Sequence, residues 1–159
     1  MEIERKLDKM GLTLPEPVKV PEDMNLPFSF VRVHDGYAYL SGHAAQNPDG
    51  GLAEPFGKVG QDVTVEQGYE SAKLVALSML GSLKRELGDL DRIQAWIRVF
   101  GMVNCGADFA QHPIVINGFS DLIIELYGQK RGQHSRSAVG MSSLPFNIPV
   151  EIEAVVAID

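Results

Sequence analysis

The stretch from Thr64 to Gly88 leaves this chain least freedom. Val65, Tyr69, Ala72, Ala76, Met79, Leu80, Leu83 and Leu87 fall on one stripe at helical spacing. Thr64 and Gln67 have the spacing of a capping box, and Gly88 is placed to end the last turn. A helix this long with a single apolar stripe must lie on something. The next segment, "DRIQAWIRVFGMVN", supplies it. Ile93, Ala95, Ile97 and Val99 alternate with Gln94, Trp96, Arg98 and Phe100, which predicts a strand with one aliphatic face. Its other face carries Trp96 and Phe100 and is therefore expected to meet a partner chain rather than water alone.

The remaining elements fit around that pair. "FSFVRVHDGYAYLSG" predicts a hairpin, with strands at 28–34 and 37–41 joined at Asp35-Gly36. Residues 43–61 are rich in turn formers and read as a loop with a short strand near its end. A second helix is expected from Asp108, as N-cap, to Tyr127, with Gly128 as stop and Ile116, Phe119, Ile123 and Leu126 as its core stripe. Pro113 fits there only in the first turn or at a break. Two strands, 137–142 and 149–158, close the chain. Ile3, Leu7 and Met10 mark a short peripheral helix ended at Gly11, and Pro15 and Pro17 break the segment after it. The order satisfies an α+β fold, a single sheet with two helices on one face. The uncovered sheet face then wants another subunit.

With 159 residues the chain suffices for one domain with a real core. Its net charge of −7 argues against a general nucleic-acid partner. No apolar run approaches the ~20 residues of a membrane helix. The charged start, "MEIERKLDKMG", is unlike a signal peptide, and the single cysteine permits no internal disulfide. A cytoplasmic protein is expected.

His34, His43, His112 and His134 are scattered singly, so neither a metal site nor a cofactor is expected. His43 follows Ser41-Gly42 at a strand end, where a solvated loop position is the ordinary outcome and a cleft the interesting one. Cys105 has no nearby histidine in sequence to activate it, and no phosphate-binding glycine loop is present. What stands out is Arg136, among small residues, with Glu151 and Glu153 in the next strand. A lone strand-end arginine is ordinarily a surface ion pair, and a strand glutamate is ordinarily solvated.

The pattern around Arg136 resembles the C-terminal signature of the Rid (reactive intermediate deaminase, or YjgF) family. There an arginine and two small residues precede a strand, then Leu-Pro, then a strand with Glu-x-Glu; Arg136, Leu144-Pro145, Glu151 and Glu153 keep that register. Ser41-Gly42 matches the end of the family's first hairpin, and "LGDLDRI" the approach to its central strand. Asn117 falls near the family's helix asparagine if two residues are inserted. Phe28 stands where the family commonly has Tyr, Ala138 where it often has Cys, and "HAAQ" replaces the usual Gln-(Ile/Val)-Pro, which marks a divergent branch. Residues 1–27 form an N-terminal helix and extension, and 28–159 the matching domain.

The resemblance implies a chorismate mutase-like fold with a mixed sheet, assembled as a barrel-like homotrimer with sites between subunits. It also implies hydrolytic deamination of enamines and imines of amino acids to 2-keto acids and ammonia. Arg136 would hold the substrate carboxylate, because a guanidinium presents two parallel donors to it. Glu151 would position water or relay a proton. Phe28, Ser41, Gly42, Asn117 and Ala138 would line the substrate site, with Arg136 of one chain meeting Phe28 and Ser41 of the next. Glu153 shares a strand face with Glu151 and is expected to be structural, paired with Arg98. The competing function is a non-catalytic module that binds a small carboxylate. An endoribonuclease or translation-inhibitor role, attached to parts of the family, is disfavoured by the charge, and chorismate mutase activity would be fold analogy alone.

Overall fold

A computed structural model describes all 159 residues. The long helix, α2 (Val65–Leu87), forms as its sequence demands. Thr64 Oγ1 accepts from the Gln67 amide at 3.1 Å, and Gln67 Oε1 accepts from the Thr64 amide at 2.9 Å. Gly88 adopts φ 80° and donates to the Lys84 carbonyl. The second long helix, α3 (His112–Gly132), packs across α2. The two approach so closely at Gly118 that a methyl there would overlap the Tyr69 carbonyl oxygen.

Both helices cover one face of a five-stranded sheet: β1 (Val31–His34), β2 (Tyr37–His43), β3 (Ile93–Asn104), β4 (Ser135–Met141) and β5 (Val150–Ile158). The strand order is β1-β2-β5-β3-β4. All pairs are antiparallel except β3–β4, which α3 joins as a crossover. The fold is thus α+β with a mixed sheet. The β1–β2 turn carries Asp35 at φ 48° and Gly36 at φ 79°, the backbone that a tight hairpin requires.

Several expectations are corrected. Trp96 is not on the uncovered face. β3 bulges twice against β5: Gln94 is extra between the Ile93–Ile158 and Ala95–Ala157 pairs, and Ile97 between Trp96–Val156 and Arg98–Val155. Each extra residue reverses the alternation. Trp96 is therefore only 2% exposed and packs edge-on against Phe119 and Tyr127, while Ile97 turns outward. The uncovered face instead carries Tyr37, Tyr39 and Phe100, with Arg98 and Glu153. The N-terminal helix, α1 (Glu2–Lys9), is not peripheral: Ile3 and Leu7 are buried in the common core, and Lys6 Nζ donates to the Leu126 carbonyl. Asp108 caps nothing. α3 starts at His112, which puts Pro113 in its first turn, where no amide is needed. Its helical path breaks at Gly128 (φ 73°), and one further turn continues beyond it. β1 begins at Val31, leaving Phe28–Phe30 outside the strand, and beyond His43, where β2 ends, residues 44–61 make isolated bridges rather than a strand.

Candidate functional site

A bulge in β2 builds the site. Leu40 pairs with Ala154 and His43 with Ile152, so Ser41 and Gly42 together oppose Glu153. The irregularity turns the bare Gly42 backbone toward Glu151. A β-carbon at Gly42 would lie 2.6 Å from Glu151 Oε2. Gly42 and Glu151 line a cavity of about 580 Å³, together with Phe28, Phe30, Phe146 and Ile148. The Glu151 carboxyl is half-buried, and its pKa is raised, first by desolvation and then by the charge of Glu153. A carboxyl with its pKa raised by burial can exchange a proton closer to neutrality.

His43 is not solvated. It is 3% exposed, with Nδ1 2.6 Å from the Ser41 carbonyl oxygen and Nε2 2.9 Å from Ser82 Oγ. A carbonyl can only accept, so Nδ1 carries the proton and Nε2 accepts from the Ser82 hydroxyl. The Ser82 oxygen accepts in turn from Arg85, whose other amino group donates to the Pro15 carbonyl at 3.0 Å. Burial lowers the His43 pKa to about 4, so the ring is neutral at pH 7.

Arg136 lies elsewhere. It pairs with Val99 on the helix-covered face of the sheet, whereas Glu151, opposite Met102, belongs to the uncovered face. Its guanidinium donates to Ser120 Oγ at 3.0 Å and to the Pro113 carbonyl at 3.3 Å. Ser120 Oγ is 2.8 Å from His134 Nε2, and His134 Nδ1 is 2.7 Å from the Gly132 carbonyl. The same Arg–Ser–His–carbonyl relay thus occurs twice. No carboxylate lies within ion-pairing distance of Arg136, so the ordinary surface salt bridge is not formed. Burial lowers its pKa, partly offset by Asp121.

The predicted residues therefore fall into two groups. Phe28, Gly42 and Glu151 share the cavity. Ala138 shares a strand face with Arg136, and Asn117 shares a helix face with Pro113 and Ser120, so these three form a second group across the sheet. Ser41 does not line the cavity; its hydroxyl donates to the Ser29 carbonyl at 2.8 Å and holds the segment that carries Phe28.

Arg98 does not pair with Glu153; it donates to Ser137 Oγ at 3.0 Å. Cys105 does have a histidine beside it: α3 begins seven residues on and brings His112 Nε2 to 3.5 Å from Sγ. Desolvation raises the thiol pKa, so the pair does not make a thiolate. The carboxylates of Glu4, Asp89 and Asp91 come together, but Lys84 and the amides of Ile3 and Leu90 already engage two of them. No sequence signal marked His43 as buried, because strict alternation from Ala38 and Leu40 would turn it outward; Arg85 and Phe146 gave none either.

The sequence pattern of the YjgF/chorismate mutase-like endoribonuclease family matches residues 4–154. The chain belongs to that family. Protein TCP17 of Trypanosoma cruzi is 32% identical over 154 residues, covering 96% of this chain and 92% of that protein. The crystal structure of Atu1372 from Agrobacterium tumefaciens, described as having unknown function, is 36% identical with a TM-score of 0.87, over 99% of this chain and 92% of that one. A Shewanella oneidensis structure, named as a candidate endoribonuclease, is 28% identical with a TM-score of 0.88, over 99% and 100%. Escherichia coli TdcF with bound serine shares the fold alone: 17% identity and a TM-score of 0.57, over 92% and 96%. The fall in TM-score fits a divergent YjgF branch.

Proposed function

We propose that this protein hydrolyses imines and enamines of amino acids to 2-oxo acids and ammonia, with Glu151 as the proton-handling group. The single observation that carries this is the half-buried Glu151 carboxyl set against the bare backbone of Gly42 in a cavity walled by aromatic and aliphatic side chains. An iminium carbon is already electrophilic, so the protein needs only to place water and move protons. Glu151 takes a proton as a water oxygen bonds to the carbon. It returns that proton to the nitrogen. The C–N bond then breaks, the nitrogen leaves with its electron pair as ammonia, and the new hydroxyl loses its proton to become the carbonyl.

Arg136 holds the substrate carboxylate in this proposal. Within one chain it lies across the sheet from Glu151, so a neighbouring copy must supply it. The tyrosine-bearing sheet face and the unpaired guanidinium both support such an assembly, which is proposed to be a homotrimer. Serine in TdcF is a small carboxylate ligand in the same fold. The cavity lining sets Arg32 and Arg85 against Glu86 and Glu151 and has no basic stripe, which favours a small-molecule site over an RNA one.

The test uses imines made in situ by an amino-acid oxidase, with ammonia release as readout. Wild type accelerates release far above the buffer rate; Arg136→Ala does not, and Glu151→Gln keeps only a residual acceleration, on the order of 100-fold below wild type. Mixing the two variants after subunit exchange restores activity, because about a quarter of randomly assembled sites between copies receive both intact residues. Wild-type release at the buffer rate rejects hydrolysis. Inactive mixtures of verified hetero-oligomers reject the shared site.

A further inference from the structure

Residues 17–28 form one wall of the Glu151 cavity, and the wall is apolar. Residues Glu16 to Lys19 are fastened first. The Glu16 amide donates to the Pro48 carbonyl at 2.9 Å, and the Lys19 amide donates to the Gly50 carbonyl at 3.0 Å. Gln46 Nε2 donates to the Glu16 carbonyl, and Arg85 donates to the Pro15 carbonyl, both at 3.0 Å. Beyond Lys19 the ladder stops. From Val20 to Phe28 the backbone makes one bond of its own, from the Met24 amide to the Pro21 carbonyl at 2.9 Å. That segment is placed by its side chains, and Val18, Val20, Met24, Leu26 and Phe28 all line the cavity.

These side chains are incompletely covered. Val20 is 39% exposed, Met24 37% and Phe28 52%, and Phe146 on the far wall is 57% exposed. A ligand with an apolar body would take that surface out of water. The formal charges on the cavity lining cancel, with Arg32 and Arg85 against Glu86 and Glu151, so no net field draws in a charged side chain. The volume, about 580 Å³, is ample for more than a methyl side chain.

We infer that the N-terminal wall makes this cavity selective for substrates with bulky, uncharged apolar side chains, as in 2-imino acids derived from leucine, methionine or phenylalanine, over those derived from alanine. This rests on the hydrolytic function proposed above. Met24 and Leu26 are the specificity residues, and Arg85 is a positioning residue that ties the wall to α2.

Two measurements separate the inference from the function beneath it. The first compares kcat/KM for imines generated from leucine and from alanine. A difference of at least tenfold in favour of leucine is expected, since one methylene in an apolar pocket gives roughly 10–200-fold. The second is calorimetric binding of 4-methyl-2-oxopentanoate against pyruvate, which needs no turnover. The double variant Met24→Ser, Leu26→Ser should reduce both ratios to within about threefold. A merely structural role would lower both substrates together and leave the ratios standing, which overturns the inference. Turnover of both imines at equal kcat/KM overturns it too, and leaves the hydrolytic function intact. Selective binding with no turnover supports the wall's role and rejects hydrolysis. Neither binding nor turnover rejects both.

Discussion

Replacing Gly42 by alanine isolates the position of Glu151 from its chemistry. The added β-carbon would lie 2.6 Å from Glu151 Oε2, 2.8 Å from Cδ and 3.1 Å from Cγ. Ordinary contact begins at 3.4 Å, so the carboxylate must retreat by about 0.8 Å, a displacement of the size that costs on the order of 100-fold in rate. That corresponds to about 2.7 kcal/mol of activation free energy. The fold should scarcely notice. The atoms met belong to the end of a flexible side chain, and the Gly42 backbone is outside the left-handed region, so alanine is unstrained there. A forced χ change costs about 0.5–1.5 kcal/mol, and the lost glycine freedom in the unfolded chain returns about 0.4–1 kcal/mol. Net stability should change by about 1 kcal/mol or less, seen as a shift of at most about 4 °C in Tm. The assay is oxidase-coupled ammonia release in Gly42→Ala, Glu151→Gln and the double variant. If the loss acts through Glu151, adding Gly42→Ala to Glu151→Gln costs nothing further. Full activity in Gly42→Ala, or an undiminished second loss in the double variant, refutes the placement of Glu151 as the proton-handling group.

Four other outcomes are expected. Glu151→Gln should stabilise the fold at neutral pH: a carboxyl whose folded pKa is raised penalises folding above that pKa and not below the unfolded value near 4.5, so the gain disappears in acid, as urea titrations at several pH values will show. For the same reason the acid limb of kcat/KM should fall at a pH above 4.5 in wild type and vanish in Glu151→Gln. His43 has the opposite sign: with the folded pKa near 4 against 6.5 unfolded, stability is full above 6.5 and is lost as pH falls toward 4, by up to about 3 kcal/mol, and His43→Gln should remove that slope. Thr64→Ala breaks one half of the capping box and should cost about 1 kcal/mol in denaturant unfolding with an unchanged m-value.

Local chemistry was legible in the sequence, and non-local pairing was not. The Thr64 cap, the Gly88 stop and the Asp35-Gly36 turn are each decided by residues within four positions of one another, and each is present. The stripe of α3 was legible for the same reason, although its start was not: Asp108 looks like a cap until Pro113 fixes where the first turn must lie. Trp96 shows the other case. Residues 93–100 alternate without a flaw, yet the side a residue faces depends on its partner in β5, and the extra Gln94 and Ile97 become visible only once that pairing is known. His43 and Glu151 belong here too. The bulge at Ser41-Gly42 sends one inward to Ser82 and brings the other against Gly42, and nothing local in "YLSGH" announces a bulge.

The pairing of β3 with β4 and β5 decides how the site can work. Arg136 and Glu151 keep the spacing that the Rid-like signature implies, and yet the strands carry them to opposite faces of the sheet. A spacing in sequence therefore does not mean a meeting within one chain. In the proposed site each chain holds two halves: a guanidinium on the side of Asn117 and Ala138 with no carboxylate to bind, and a carboxyl in a cavity whose arginines are Arg85, tied to Pro15 and Ser82, and the exposed Arg32 of β1. Assembly would join unlike halves of neighbouring copies, a head-to-tail contact that closes into a ring without leaving a half unused. Dilution would then inhibit such an assembly. Activity per chain should fall once the protein drops below the dissociation constant of the assembly, while a monomer with a self-sufficient site would keep a constant specific activity at every concentration. Measuring ammonia release over a thousandfold dilution, with light scattering at the upper end to compare the mass with three times 17.4 kDa, decides between them.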